Sequence, residues 1–420
     1  SASASASAPQ HPAMLDDNAD NWKSYTTKDG HPYYYHRKTA YSTWEKPECL
    51  KTELEKDTNY QTQKWYEDEG YDPFEDDMYF ESYTDLSLQG EMIGDKARSD
   101  SYLRAMLKFA DVDFKDKVVL DCGCGTGLLS FFAVKAGAKR VYAIEGSALA
   151  TTTLRVVEDN DLADRVHVYH ARIEDVELPE KVDVIISEWM GSCLIFESML
   201  GSVLHARDKW LKPGGILYPS RAAIYVAPIE AAKYFGKRVD FWHDVYGIDM
   251  RAFLPSARKC SLEKPMFDRD VEARDVLVAR GAEKLVVTYD LMTMTIDEIE
   301  HLHAEFDFEV MRDGVLHGFA AWFDVHFESS RAYGARIAAG VTDRAADDAV
   351  CLSTAPYHTI THWKQLSMLF DEGDRVRRGD RIVGDIDILR NTYWRRHFNF
   401  DVACTIKARA AAAADGDGGD

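Results

Sequence analysis

Two glutamates, Glu188 and Glu197, bracket the run S-E-W-M-G-S-C-L-I-F-E-S-M at 187–199. Paired carboxylates can act as an acid and a base, or grip a cation that relieves their mutual repulsion. Upstream, Asp121 opens the loop Asp121-x-Gly123-x-Gly125-x-Gly127, and Glu145 ends the run Arg140-Val141-Tyr142-Ala143-Ile144-Glu145. Glycines let backbone approach a ligand, and an acid ending the second strand can accept both hydroxyls of a ribose. Dinucleotide sites use G-x-G-x-x-G and seat a pyrophosphate at the helix N-terminus. The acid before the first glycine here would repel a pyrophosphate. The loop suits a ligand with a cationic amino group and no phosphate. S-adenosylmethionine fits, with Asp121 near its amino acid portion and Glu145 on its ribose.

Strands and helices must position these residues. Val182-Asp183-Val184-Ile185-Ile186 reads as a buried parallel strand running into Glu188. After it, Phe196, Met199, Leu200, Val203, Leu204 and Leu211 recur at helical spacing, and Lys212-Pro213-Gly214-Gly215 is a stop signal. The glutamates therefore fall at the carboxyl edge of a sheet, where ligands of open α/β sheets bind. Tyr102, Leu103, Met106, Leu107 and Ala110 predict a preceding helix, Lys117 to Asp121 a strand, Leu128 to about Gly137 a helix, and Val166 to Tyr169 a strand. This alternation over about 115–217 predicts a parallel, doubly wound sheet. Beyond Pro219 the texture changes to short β runs at 222–226, 285–289, 306–310, 320–327 and 381–384, predicting a largely antiparallel barrel or sandwich. An aromatic-rich, helix-like stretch at about 229–258 interrupts it, and 328–350 reads as a Gly/Ala/Arg/Asp-rich loop.

The 420 residues suffice for two or three domains. A net charge of −21 argues against general nucleic-acid binding and suits capture of basic polypeptides. No apolar run approaches a membrane span and no secretion signal is visible, so no membrane association is expected. Seven cysteines show neither disulfide-framework nor zinc spacing, so no metal is expected and a reducing compartment, nucleus and cytoplasm, is favoured.

Residues 1–19 read as a disordered Ser/Ala leader, 49–75 as an acidic linker and 405–420 as a disordered tail. Between leader and linker, 20–48 carries Trp22, Gly30, Tyr33-Tyr34-Tyr35, Trp44 and Pro47. This pattern resembles a WW domain. The resemblance implies that Trp22, Tyr34 and Pro47 clamp a small sheet, and that Tyr33 and Trp44 form a slot for a proline-rich ligand. His36 departs from it, standing where the family usually has Asn.

From Met78 to about Ile406 the chain resembles a protein arginine methyltransferase core. The resemblance rests on Tyr79-Phe80-x-x-Tyr83, the segment from Met92 to Arg98, the glycine loop, Glu145, the double-glutamate stretch and Thr361-His362-Trp363. Leu316-His317-Gly318-Phe319 and Trp394-Arg395-Arg396-His397 are most similar to the branch with an N-terminal SH3 domain. The fold so implied is α/β: a Rossmann-like S-adenosylmethionine-binding domain (76–217), then a β-barrel domain (218–404) with a helical dimerisation arm at about 228–258. Glu188 and Glu197 would grip a guanidinium, and His362 paired with Asp95 would orient the site or take a proton. Arg98 would pair with the cofactor carboxylate, Glu145 with its ribose and Glu174 with its adenine, while Phe80 and Tyr83 close over it. Met92 and Met199 would flank the pocket, a Met at the first position going with asymmetric dimethylation. Two departures concern cofactor contact and substrate preference: Gln89 stands where relatives often have His, and Ser192 where some have Tyr. Expected partners are Arg-Gly-rich proteins and histone tails, proline-rich ligands and a second copy of the chain. The competing expectation is a WW-based adaptor with a weakly active core.

Overall fold

The computed structural model describes residues 18–26, 32–38, 42–43, 47–50, 73–262, 265–267, 271–391 and 394–409. The chain divides into two units, one ending at Tyr71 and one beginning at Asp72. In the first, β1 (Trp22–Thr26), β2 (Pro32–His36) and β3 (Ser42–Thr43) form an antiparallel sheet in that order. Trp22 and His36 are both buried, their rings 4.8 Å apart, so the departing histidine packs on the first tryptophan. Trp44, the Tyr33 side chain and most of the expected leader and linker lie outside the described residues.

The second unit begins with three short helices, α1 (Pro73–Ser82), α2 (Leu86–Gly94) and α3 (Lys96–Lys108). Asp85 and Asp95 cap α2 and α3, each accepting from a backbone N–H of the first turn. The α/β alternation then unfolds as β4 (Val118–Cys122), α4 (Leu128–Lys135), β5 (Arg140–Glu145), α5 (Leu149–Asp159), β6 (Val166–His170), β7 (Val182–Ile186), α6 (Leu200–Trp210) and β8 (Leu211–Tyr218). All pairings are parallel, in the order β6-β5-β4-β7-β8. The order reverses between β4 and β7, so the glycine loop and the glutamate loop flank one crevice. Helix α6 begins at Leu200, leaving Phe196 and Met199 in the loop, and the Lys-Pro-Gly-Gly stop signal lies within β8.

The remaining strands are antiparallel: β9 (Arg221–Ile229), β10 (Lys284–Asp290), β11 (His301–Glu309), β12 (Gly314–Phe327), β13 (Val350–Ser353), β14 (Leu366–Val376), β15 (Arg381–Arg390) and β16 (Phe398–Lys407). One sheet runs β10-β9-β12-β13 with β14 also on β12; the other runs β11-β15-β16. Along β11 burial alternates strictly, placing Leu302, Ala304, Phe306 and Phe308 inside. An apolar core continues from the parallel sheet into these strands.

Several expectations are corrected here. The loop expected at 328–350 contains helix α9, in its order after α7 (Ala232–Arg238) and α8 (Leu254–Leu262): it spans Ser330–Ala338 and is capped by the Ser329 hydroxyl. Alanine favours helix, and the cap overrides the loop-like composition. Strands β13, β14 and β16 escaped the sequence reading, and β16 continues to Lys407, three residues past the expected end of the domain. The stretch at 229–258 is broken into α7, two 3-10 turns and α8, which continues to Leu262. Among the described residues no helix is long and apolar enough to cross a membrane.

Candidate active site

Asp121 ends up wholly buried at the end of β4. Its Oδ2 accepts from the Ser130 hydroxyl at 2.6 Å, while its buried Oδ1 has no hydrogen-bond partner. Burial, opposed by the Ser130 bond and aided by nearby Glu145, raises its carboxyl to about 7. Glu145 is held by backbone, its Oε2 accepting from Gly125 N at 2.7 Å and its Oε1 from Ser147 N at 2.8 Å. A carboxylate has about four acceptor sites, so two bonds leave capacity for hydroxyls. Gly123 has φ +72°, and a Cβ there would lie 2.3 Å from Met199 Cε. Only glycine permits this turn with Met199 seated on it. The Phe80 ring rests on Gly146 in the same way, its Cε1 2.6 Å from where a Cβ would stand. Gln89 is buried and donates to Tyr83 O at 2.9 Å, tying α2 to the end of α1. Glu174 accepts from the Ser202 hydroxyl at 2.6 Å.

The orphaned anionic oxygen of Asp121 fits the charge of an ammonium group, and the backbone-held Glu145 fits a diol. The sequence-predicted residues Phe80, Tyr83, Gln89, Asp121, Gly123, Gly125 and Glu145 are thus brought to one loop cluster. Arg98 has a partner that the sequence reading did not name. Its Nε and Nη2 donate to Glu188 Oε2 at 3.1 and 3.0 Å, and its Nη1 reaches Met92 O at 3.4 Å. Both members of the pair are buried. A guanidinium in the first turn of an amphipathic helix meets the nearest buried carboxylate, and the desolvated pair locks Glu188 in place.

Glu197 sits in unusual backbone. Cys193, Leu194, Glu197 and Ser198 all have φ between +49° and +73°. Gly191 is indispensable to this loop, because a Cβ would stand 2.1 Å from Phe196 O. The Glu197 carboxylate accepts from Tyr83 OH at 2.5 Å. Burial first, then the Glu188 charge, raise its carboxyl above the ordinary range, against the lowering effect of the Tyr83 bond. Tyr83 therefore ties the end of α1 to the second glutamate. Asp95 Oδ2 accepts from His362 Nδ1 at 2.8 Å and from His362 N at 2.9 Å. Burial opposes ionisation of Asp95, but these bonds and that from Arg98 N hold it below its usual value. Trp363 Nε1 donates to Met190 O at 2.7 Å, fixing the Thr-His-Trp turn against the glutamate loop.

Four supporting residues were missed as site members. Asp76 on α1 is buried and pairs with Arg396 and, at 2.8 Å, with Arg172. The Arg396 guanidinium lies 4.0 Å over the Tyr79 ring and donates to Glu197 O, while Glu197 N donates back to Arg396 O at 2.8 Å. Arg396 and Tyr79 belong to quoted motifs and could have been found there; Asp76 and Arg172 carry no sequence signal. Asp76, Arg396, Glu197 and Tyr83 make a circuit that starts on α1 and returns to the residue just after it.

Residues 119–215 match a methyltransferase domain family, and residues 220–409 match the arginine methyltransferase oligomerization subdomain. Probable protein arginine N-methyltransferase 6.2 of Oryza sativa subsp. indica is 41% identical over 77% of this chain and 84% of its own length. The chain belongs to the protein arginine N-methyltransferase family. Protein arginine N-methyltransferase 2 of Homo sapiens is 38% identical over 81% of this chain and 75% of its own length. Among solved structures, the Trypanosoma brucei PRMT1 enzyme-prozyme heterotetrameric complex with AdoHcy aligns at TM-score 0.65 and 31% identity, covering 78% of this chain and 100% of its own. Protein arginine methyltransferase 10 of Arabidopsis thaliana, in an open conformation, aligns at TM-score 0.66 and 32% identity over 80% of this chain and 97% of its own. In this family member Glu188 and Glu197 fall in the first matched region and His362 and Arg396 in the second, so the site is composite.

Proposed function

We propose that this chain transfers methyl groups from S-adenosylmethionine to arginine guanidinium nitrogens of proteins, giving mono- and asymmetric dimethylarginine. The observation that carries the reading is a pair of carboxylates on one loop with different partners. Glu188 is paired with Arg98 at 3.0 Å, whereas the Glu197 carboxylate accepts from the Tyr83 hydroxyl, and burial and then the Glu188 charge raise its carboxyl above the ordinary range. A planar cation between them restores the charge balance, and a guanidinium fork matches carboxylate geometry. S-adenosylmethionine supplies, when bound, a sulfonium methyl open to attack by nitrogen. Asp121 would hold its ammonium group, Glu145 its ribose hydroxyls and Glu174 its adenine amino group.

The chain's own residues do the rest. Glu188 and Glu197 draw the guanidinium charge to one side, leaving one terminal nitrogen better able to attack, and fix its direction. His362, oriented through Nδ1 by Asp95, offers its other nitrogen to the released proton. Tyr79 and Phe80 on α1, with Tyr83 just after it, would close over the bound molecule and shut water out. Asymmetric product is supported by Met92, buried against the Arg98 side chain, and by Met199 on Gly123. Self-association is supported by the projecting segment between α7 and α8, where Tyr246 is fully exposed and Phe241, Ile248 and Phe253 are largely so. Recruitment of proline-rich ligands is supported by the three-stranded sheet of the first unit.

Glu188→Gln should abolish transfer of labelled methyl to an Arg-Gly peptide while S-adenosylhomocysteine still binds; undiminished turnover overturns the reading. Mass spectrometry of the product separates asymmetric from symmetric dimethylarginine and tests the product class by itself.

A further inference from the structure

The outward face of the β11-β15-β16 sheet gathers side chains that the methyltransferase site does not use. His301 and His303 alternate with buried Leu302, so both imidazoles project from the same face of β11. Opposite them on β15, Asp387 is in register with His303, and Asp385 with Glu305. Asp387 Oδ1 lies 2.6 Å from His301 Nε2 and 3.1 Å from His303 Nδ1. The ligand atoms of His303, Asp385 and Asp387 all fall within 4.8 Å of one another.

A tetrahedral ion with bonds of about 2.1 Å keeps its ligand atoms roughly 3.4 Å apart. The two separations from Asp387, 2.6 and 3.1 Å, fall below that value and the three-residue cluster lies within 4.8 Å, so half-exposed side chains on the sheet reach it by rotation. The ladder supplies what a chelate needs: two strands in fixed register, with donors converging from both. Charge favours a cation as well. Glu305, Asp307, Asp385, Asp387 and, across from Asp387 on β16, Asp401 share this face, and Arg381 is already engaged by Asp307 at 2.8 Å. Two imidazoles with carboxylates suit a zinc-type ion, whereas calcium and magnesium take all-oxygen cages.

We propose that His303, Asp385 and Asp387, with His301 beside Asp387, form a binding site for one zinc-type divalent cation on the barrel. The ion takes the place of the hydrogen bonds between Asp387 and the histidines and clips β11 to β15. Because His301 follows Glu300, whose carboxylate pairs with Arg390 at 2.7 Å and Arg395 at 3.3 Å, the clip lies next to the support of the glutamate loop.

The test is titration of the untagged full chain with cobalt(II) chloride and zinc chloride, followed by calorimetry and visible absorption. The proposal expects one ion per chain and a cobalt spectrum of nitrogen and oxygen ligation, without thiolate charge transfer. Binding should weaken at least about tenfold in His303→Ala and in Asp387→Asn, and stay unchanged in Cys260→Ser and Cys351→Ser. Circular dichroism identifies any variant that misfolds, and His303→Gln then replaces it. Absence of saturable binding below roughly 1 mM, equal affinity in the His301→Ala/His303→Ala double variant, or a thiolate band removed by the cysteine variants overturns the proposal.

Discussion

Asp121 shows how one side chain can report on the ligand it awaits. Its carboxyl is held near 7 by burial, against about 3.9 in an unfolded chain. The folded state therefore keeps a proton that the unfolded state has lost, and stability falls as pH rises from about 4 to 7. Ligand with a cationic amino group needs the ionised form, so binding below pH 7 must release a proton. S-adenosylhomocysteine affinity should weaken by up to about tenfold per pH unit below 7, and calorimetry at pH 6 in two buffers should find one proton released. Asp121→Asn should flatten that profile, weaken binding and stabilise the free protein at pH 8 by roughly 1–3 kcal/mol. At this scale much was legible in the sequence. Glu145 ends a strand and Glu188 follows one, as the apolar runs before them predict, and the His362–Asp95 hydrogen bond is the pairing that the resemblance implied. Arg98 was legible as a site residue but not as the partner of Glu188, because the pairing depends on how α3 packs on the sheet and no spacing encodes it.

The elements that hold these residues contribute through their ties. Arg396, from the connection between β15 and β16, reaches both Asp76 on α1 and the backbone of Glu197. Arg396→Ala should raise the cofactor KM and lower kcat together by about tenfold or more, with Arg396→Lys restoring charge but not the fork. Hydrogen exchange should show α1 opening in the alanine variant; an α1 as protected as in the parent would contradict the tie. Gly191→Ala tests the glutamate loop itself. The clash with Phe196 O should displace Glu197 and stop methyl transfer while leaving the affinity for S-adenosylhomocysteine within about threefold of the parent, since that side of the crevice is built by other loops. The parallel half was readable because its central strands are mostly apolar runs, β4 and β5 each followed by a glycine. The barrel was only partly so: β14 carries a polar stretch, Asp371-Glu372-Gly373-Asp374, and β16 alternates Asn, Asp and Thr with apolar residues. Neither stands out against loop until register pairs it with β12 or β15.

At the scale of the whole molecule, the proposed function gives the strongly acidic chain and the exposed aromatics different partners. The charge of −21 draws in basic substrates at a distance, so turnover on cationic peptides at low concentration should fall steeply with added salt. The segment between α7 and α8 acts by contact. Replacing Tyr246 and Phe253 together by Asp should reduce the mass seen by light scattering to that of one 47.6 kDa chain. A mass equal to that of the parent would place the self-association surface elsewhere.

The left-handed stretch from Cys193 to Ser198 bears on how such an enzyme can be inherited or engineered. Cys193, Leu194, Glu197 and Ser198 each forgo roughly 1–2 kcal/mol of backbone preference. Part of what holds it is not local: Arg396 grips Glu197 and the Arg395 carbonyl grips the Ser198 hydroxyl at 3.0 Å, both from the far end of the chain. The parallel sheet can travel between proteins as a methyl-donor module, and its first glutamate can travel with it. The second glutamate cannot. Selectivity for arginine belongs to the joint between sheet and barrel, so a chimera that exchanges either half has to carry both sides of that joint to keep it.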